Sequence, residues 1–231
     1  MKRNDMKKND MKRNDMKKND MQKNDIKLTP SIIVIKRYQT KLNNNNKNKL
    51  SKGLSPTSDS EFKYNPSKWN NNSNIKLNQN CYSYAFNDIK LSREGKAQPG
   101  YYANYPPIDE TEYNCKAIFK RIKRDNPSVY KTKFKEKCQN GFYKAYYVLA
   151  LSDDTDYHFY RQDSNGNWSH KPGRTNVTNL DASDKVIKNP SIANRDYGTY
   201  NYKKGCDFFC LHPKLTKTFS QSNKNKNKNK N

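Results

Sequence analysis

The sequence predicts an α+β fold in which N-terminal helices pack on an antiparallel sheet that follows them in the chain. Three observations carry this prediction. Apolar residues recur at helical spacing only between about positions 81 and 122. From Phe142 onward the pattern changes to short runs rich in Tyr, Val and Leu. Turn signals separate those runs, and Asn165-Gly166 is the strongest of them. Helices first and strands afterwards, without alternation, is the α+β order.

The elements follow in turn. Asn78-Gln79-Asn80 supplies amide side chains of the capping type. Cys81, Tyr84, Ala85 and Ile89 then fall at near-helical spacing, which predicts a short helix over about 81 to 90. Pro99-Gly100 and Pro106-Pro107 mark an irregular connection. A second helix is predicted to begin near Asp109, to carry Tyr113, Ala117, Ile118 and Ile122 on one face, and to end before Asn126-Pro127. Phe142 to Leu151 reads as a buried strand and Asp156 to Gln162 as the next. The Asn165-Gly166 turn leads to a short strand from Trp168 to Lys171. Further strand candidates are Asn176 to Thr178, Lys185 to Ile187, Tyr200 to Tyr202 and Asp207 to Leu211.

Taken whole, the 231 residues carry a formal charge of +24 and only 32% apolar residues, against roughly 45–50% in globular domains. The deficit is concentrated at the ends. Residues 1–53 hold 16 Lys/Arg and 5 Asp, residues 214–231 hold 6 Lys and no acid, and 54–213 keeps a net charge of +7. That middle contains both tryptophans, all five cysteines and all three histidines. The predicted organisation is one domain over 54–213 between disordered basic tails, 1–53 and 214–231. The first tail opens with a pentad repeat headed by Met1, Met6, Met11, Met16 and Met21. A five-residue step turns about 140° on a helix and alternates faces on a strand, so neither element buries the methionines. Such tails can neutralise phosphates of a nucleic acid, although A/T-rich codons alone also produce Asn and Lys tracts.

No apolar run approaches the roughly 18–20 residues needed to span a bilayer. Ile32-Ile33-Val34-Ile35 is shorter than the roughly 7–15 residues of a secretory h-region. The expectation is an intracellular protein with no membrane span. Five thiols in such a chain are expected to be reduced, and their odd number points the same way.

Cys81 stands where the first helix should begin. A thiol there faces unpaired backbone N–H groups and the positive end of the helix dipole, which lower its pKa toward reactive thiolate. The same groups can stabilise an oxyanion. The alternative is a small buried cysteine on the inward face of the helix, and position alone leaves both open. His158 lies among aromatics in Tyr157-His158-Phe159-Tyr160-Arg161, where a core or edge role is ordinary. The hairpin adds a second reading. If Ser164-Asn165-Gly166 is a three-residue loop, Asp163 pairs with Asn167, Tyr160 lies opposite His170, and His158 lies opposite Pro172. His158 and His170 then share a face as diagonal neighbours, roughly 7–8 Å apart at the backbone. One imidazole can orient the other while the first serves Cys81 as base. A two- or four-residue loop would put them on opposite faces.

Other constellations carry less. Cys206, Phe208, Cys210 and His212 share parity and would line one face of the last strand as core. As zinc ligands their Cys-x3-Cys-x-His spacing is not a standard one. Cys81, His158 and His170 are also of zinc-ligand type, which metal analysis would decide. Lys120 to Arg124 and Lys131 to Lys137 read as solvated faces, and the sequons at Asn71, Asn167 and Asn176 as chance in an Asn-rich chain.

Asn80-Cys81-Tyr82-Ser83-Tyr84-Ala85, the strand bearing His158 and the further His170 together resemble the papain-like cysteine hydrolases of the NlpC/P60 superfamily. The stretch from Asp156 to Gly173, with Gln98-Pro99-Gly100, Asp181-Ala182-Ser183 and Phe208-Phe209-Cys210, also looks like a subgroup of functionally uncharacterised microbial proteins. The resemblance covers about residues 64–213. It implies a papain-like (NlpC/P60-like) fold and a triad of Cys81 as nucleophile, His158 as base and His170 as orienting residue. Asn80 stands where the commoner Asp-Cys-Ser-Gly form has its acid, and Tyr82-Ser83 replaces Ser-Gly, a departure that bears on substrate preference more than on the triad.

The function expected from this is cysteine-dependent hydrolysis of a peptide or amide substrate, or acyl transfer, through an acyl-enzyme. No cofactor and no metal is called for. The alternative is a catalytically silent domain of the same fold that binds a partner, with the basic tails contacting nucleic acid or an acidic surface.

Overall fold

The structure, a computed structural model, describes residues 53–91, 95–151 and 155–219. The pentad repeat, the Asn43 to Lys49 stretch and the closing Lys/Asn alternation lie outside these residues. The fold is α+β. Five antiparallel strands, β1 (Tyr130–Thr132), β2 (Tyr143–Leu151), β3 (Thr155–Gln162), β4 (Trp168–His170) and β5 (Lys204–Leu211), form one sheet in the order β1-β5-β2-β3-β4. β2 lies in the middle and is buried along all but its last residue. Coverage of both faces explains why its sequence is a continuous apolar run without polar alternation.

On one face Tyr143, Ala145, Tyr147 and Leu149 of β2 pack with Phe159, Phe209 and the helical Tyr82, Phe86, Ile118 and Ile122. On the other, Tyr146, Val148 and Ala150 pack with Tyr160, Trp168, Ile187 and Tyr202. The covering segment on this second face is irregular. The strand candidates expected near 176, 185 and 200 reduce to single bridges, His170–Thr178, Leu180–Val186 and Asp196–Asn201.

Among the described residues, four α-helices precede β1: α1 (Ser67–Asn70), α2 (Ser73–Asn78), α3 (Cys81–Ala85) and α4 (Cys115–Asp125). α1 and α2 were not expected, because their Asn-rich sequence has no periodic apolar stripe. They are held by Trp69, which is buried with Tyr84 and Val177, and by Asn72, whose side chain caps α2. α3 begins at Cys81 as expected but stops at Ala85, short of 90. Asn87 adopts a left-handed conformation, φ 52°, and Asp88 N–H donates back to Ser83 O at 2.9 Å, the geometry that closes a helix. α4 starts six residues later than expected. Asp109 instead caps a 3-10 turn at Glu110–Glu112, and Asn114 Oδ1 caps α4 by accepting from Ala117 N–H at 2.9 Å.

Two expectations about cysteines are corrected. The thiols are not all reduced: Cys115 is bonded to Cys206 and Cys138 to Cys210, leaving Cys81 free. Nor do Cys206 and Cys210 share a face. Tyr146 pairs with Phe208 but Val148 pairs with Gly205, so Cys206 and Asp207 together oppose Tyr147 in a β-bulge. The extra residue inverts parity, putting Cys206 with the helix-side core and Phe208 with the opposite one. The zinc alternative for Cys206, Cys210 and His212 falls with it, since each thiol is consumed in a different disulfide.

Segments at both ends of the chain's described part dock on the sheet and helices. Ser55 accepts from the buried Lys144 Nζ at 2.6 Å and donates to Phe134 O at 2.7 Å. At the other end, residues 214–219 were expected in the tail but dock on the domain. Asn126 exchanges two hydrogen bonds with the Lys217 backbone, at 2.9 and 2.7 Å, Thr218 is fully buried, and Phe219 packs against the helix-side core. Among the described residues, no helix is long and apolar enough to cross a membrane.

Candidate active site

The hairpin that follows β3 has the three-residue loop on which the site expectation depends. Asp163 N–H donates to Asn167 O and Gly166 N–H to Asp163 O, both at 2.8 Å. Gly166 takes φ 84°, the left-handed position that such a loop needs. Tyr160 therefore stands opposite His170 and Arg161 opposite Ser169. His158 and His170 project from the same face, and His158 Nε2 meets His170 Nδ1 at 2.7 Å.

The direction of that hydrogen bond follows from its far end. His170 Nε2 lies 2.9 Å from Leu180 O. A carbonyl oxygen only accepts, so His170 carries its proton on Nε2 and presents Nδ1 as an acceptor. His158 must then donate through Nε2, which leaves the lone pair on its own Nδ1. Among the described residues no hydrogen bond reaches that atom. Burial pushes both imidazoles toward the neutral form, His170 to about 4 and His158 well below its ordinary value, with the His170 charge adding to the effect.

Cys81 lies at the start of α3, whose end is capped by Asn80: its Oδ1 accepts from Ser83 N–H at 3.1 Å. Asn80 Nδ2 also donates to Ala97 O at 2.7 Å, tying the 97–100 connection to the helix. The buried carboxylate of Asp125 completes that tie. It accepts from Tyr82 Oη at 2.9 Å, Gly100 N–H at 2.7 Å and Ala103 N–H at 2.9 Å. Gly100 has φ 97°, and a Cβ there would stand 2.9 Å from Tyr105 Cβ, so only glycine fits. The result is a cavity of about 450 Å³ whose wall includes Asn80, Cys81 and Gln98 from one side and Asp156, Tyr157 and His158 from β3. His170 stands behind His158, outside the cavity wall.

Cys81 departs from expectation in its titration. A helix of five residues has little dipole to offer, and burial pushes the thiol up to about 12, with the Asp156 charge adding to the shift. Its hydrogen bond runs to Tyr157 O at 3.8 Å. The structure thus brings the two histidines into contact and places Cys81 and His158 on one cavity wall, with the sulfur in its thiol form. Sequence reasoning missed Leu180, Asp125, Asp156 and the cavity's Tyr113, Tyr197, Tyr200 and Tyr202. Only Asp156 carried a signal, its parity with His158. Among the described residues, no three His, Cys, Asp or Glu side chains converge as a metal site.

No protein-family model matches the chain, and no solved structure matches it. The chain is 30% identical over 139 residues to insoluble matrix shell protein 1 of Ruditapes philippinarum, an alignment covering 58% of this chain and 81% of that protein. The chain belongs to the same family as that protein.

Proposed function

We propose that this member of the family is a papain-like cysteine hydrolase or acyltransferase of the NlpC/P60 kind, with Cys81 as nucleophile, His158 as base and His170 as orienting residue. The observation that supports it is the relay from Leu180 O through His170 to His158, which leaves a lone pair on the imidazole of the cavity that also holds Cys81. His158 Nδ1 takes the Sγ proton as sulfur attacks the carbonyl of a peptide or amide. The imidazolium returns that proton to the leaving amine. Water or a second amine then opens the thioester. Thiol and imidazole are both held neutral by burial, so proton transfer accompanies attack and no thiolate is stored beforehand. The test is labelling with an electrophilic acyl probe and mapping of the modified residue. Modification of Cys81 that is lost in His158→Ala supports the reading; labelling indifferent to His158→Ala sinks it.

A second reading is favoured by the high thiol pKa and by the name of the relative. In it the domain is catalytically silent and serves a matrix-like binding role, with the basic tails on nucleic acid or an acidic surface. Its affinity falls steeply with salt and is lost with the tails. The two disulfides further favour an oxidising compartment over the expected intracellular one.

A further inference from the structure

The cavity holds a negative charge that the acyl-enzyme chemistry does not use. Asp156 lies two residues before His158 on β3, opposite Ala150 of β2, so both side chains leave the strand on the same side. Asp156 Oδ2 accepts from Tyr202 Oη at 2.6 Å, and among the described residues its carboxylate forms no ion pair. Tyrosine rings share the cavity with it. Tyr200 stacks on Tyr202 with centroids 6.0 Å apart and planes 22° apart, and Tyr113 stacks on Tyr157 at 6.5 Å and 24°. All four line the same cavity. Burial raises the Asp156 pKa, the response of a carboxylate set in low dielectric without a counter-ion. Lys96 also lines the cavity. Among the described residues Lys96 and Asp156 form no ion pair with each other.

A carboxylate that shares a cavity with tyrosine rings attracts an organic cation twice, by its charge and through the ring quadrupoles. We infer that the Asp156 end of the cavity binds the positively charged side chain of a lysine or arginine in the substrate, so that the amide presented to Cys81 belongs to a basic residue or adjoins one. The position of that residue beside the scissile bond rests on the acyl-enzyme reading; the cation site itself does not.

The test uses the full chain carrying Cys81→Ala, titrated with Nα-acetyl-lysine methylamide and with its uncharged norleucine counterpart. The lysine probe is expected to bind about tenfold more tightly, and adding Asp156→Asn is expected to erase the preference. Tyr200→Ala, at a position 36% exposed, should weaken the lysine probe several-fold and serves if Asp156→Asn does not fold. Equal binding of the two probes overturns the inference, as does a preference that survives the folded variant. The titration needs no thiol, so the two readings fail separately. Acyl labelling of Cys81 without lysine preference removes only the cation site; lysine preference without labelling removes only the enzyme.

Discussion

His158 and His170 meet Nε2 to Nδ1 at 2.7 Å with their rings 87° apart, because a three-residue loop sets Tyr160 opposite His170. This contact makes the two imidazoles unequal: His170 is anchored on the Leu180 carbonyl, and His158 offers the free lone pair.

That inequality predicts their variants. His158→Ala should lower acyl labelling of Cys81 by about 10²–10⁴-fold, the scale of a lost general base. His170→Asn should retain measurable labelling, since a carboxamide oxygen can accept the same Nε2 proton, and His170→Ala should lose more. Labelling rates for the three variants, measured side by side, check the order; equal rates for His170→Asn and His170→Ala would remove the orienting role.

Stability should respond to pH with opposite signs at two buried sites. Burial holds His170 at about 4, below its unfolded value of about 6.5. Its contribution is therefore present above that value and is lost as pH falls toward 4. Burial holds Asp163 at about 6, above an unfolded value of about 3.9, so its contribution is present at low pH and is lost as pH rises through 6. Between about pH 6.5 and 4.5 the melting-temperature gap between wild type and His170→Asn should narrow on acidification, and the gap to Asp163→Asn should widen. Gaps that move in the same direction would contradict the assignment.

The disulfides predict one free thiol per denatured, unreduced chain. They join residues 91 and 72 positions apart, and closing loops of that length stabilises by about 2–5 kcal/mol each. Thiol counting before and after reduction checks the number. Denaturant titration of Cys138→Ser and Cys115→Ser checks the size, and five reactive thiols in the unreduced chain would refute the pairing.

Cutting the chain after Phe219 should be silent relative to a cut after Pro213. The shorter chain loses the two Asn126–Lys217 hydrogen bonds and buried Thr218, at a cost of about 1–3 kcal/mol. Equal melting temperatures for the two truncations would show that the 214–219 segment contributes nothing.

Local pattern by itself determined the helix start at Cys81, the strands β2 to β5 and the place of the hairpin turn at Asn165-Gly166, while the loop length that pairs the imidazoles was read from the structure. Each rests on residues within a few positions of one another, where spacing and turn chemistry suffice. Other features required contacts between distant parts of the chain. A bulge opposite Tyr147 sent Cys206 and Cys210 to opposite faces, and the sheet then brought them to Cys115 and Cys138. Low dielectric around Cys81 outweighed a helix too short to acidify it, which no spacing reports. Asp156 met Tyr202 only through the irregular segment folded over the second face of the sheet. Periodicity is a property of neighbours in sequence, whereas desolvation, disulfide pairing and cavity composition depend on which distant residues exclude water together, and only the tertiary structure decided those.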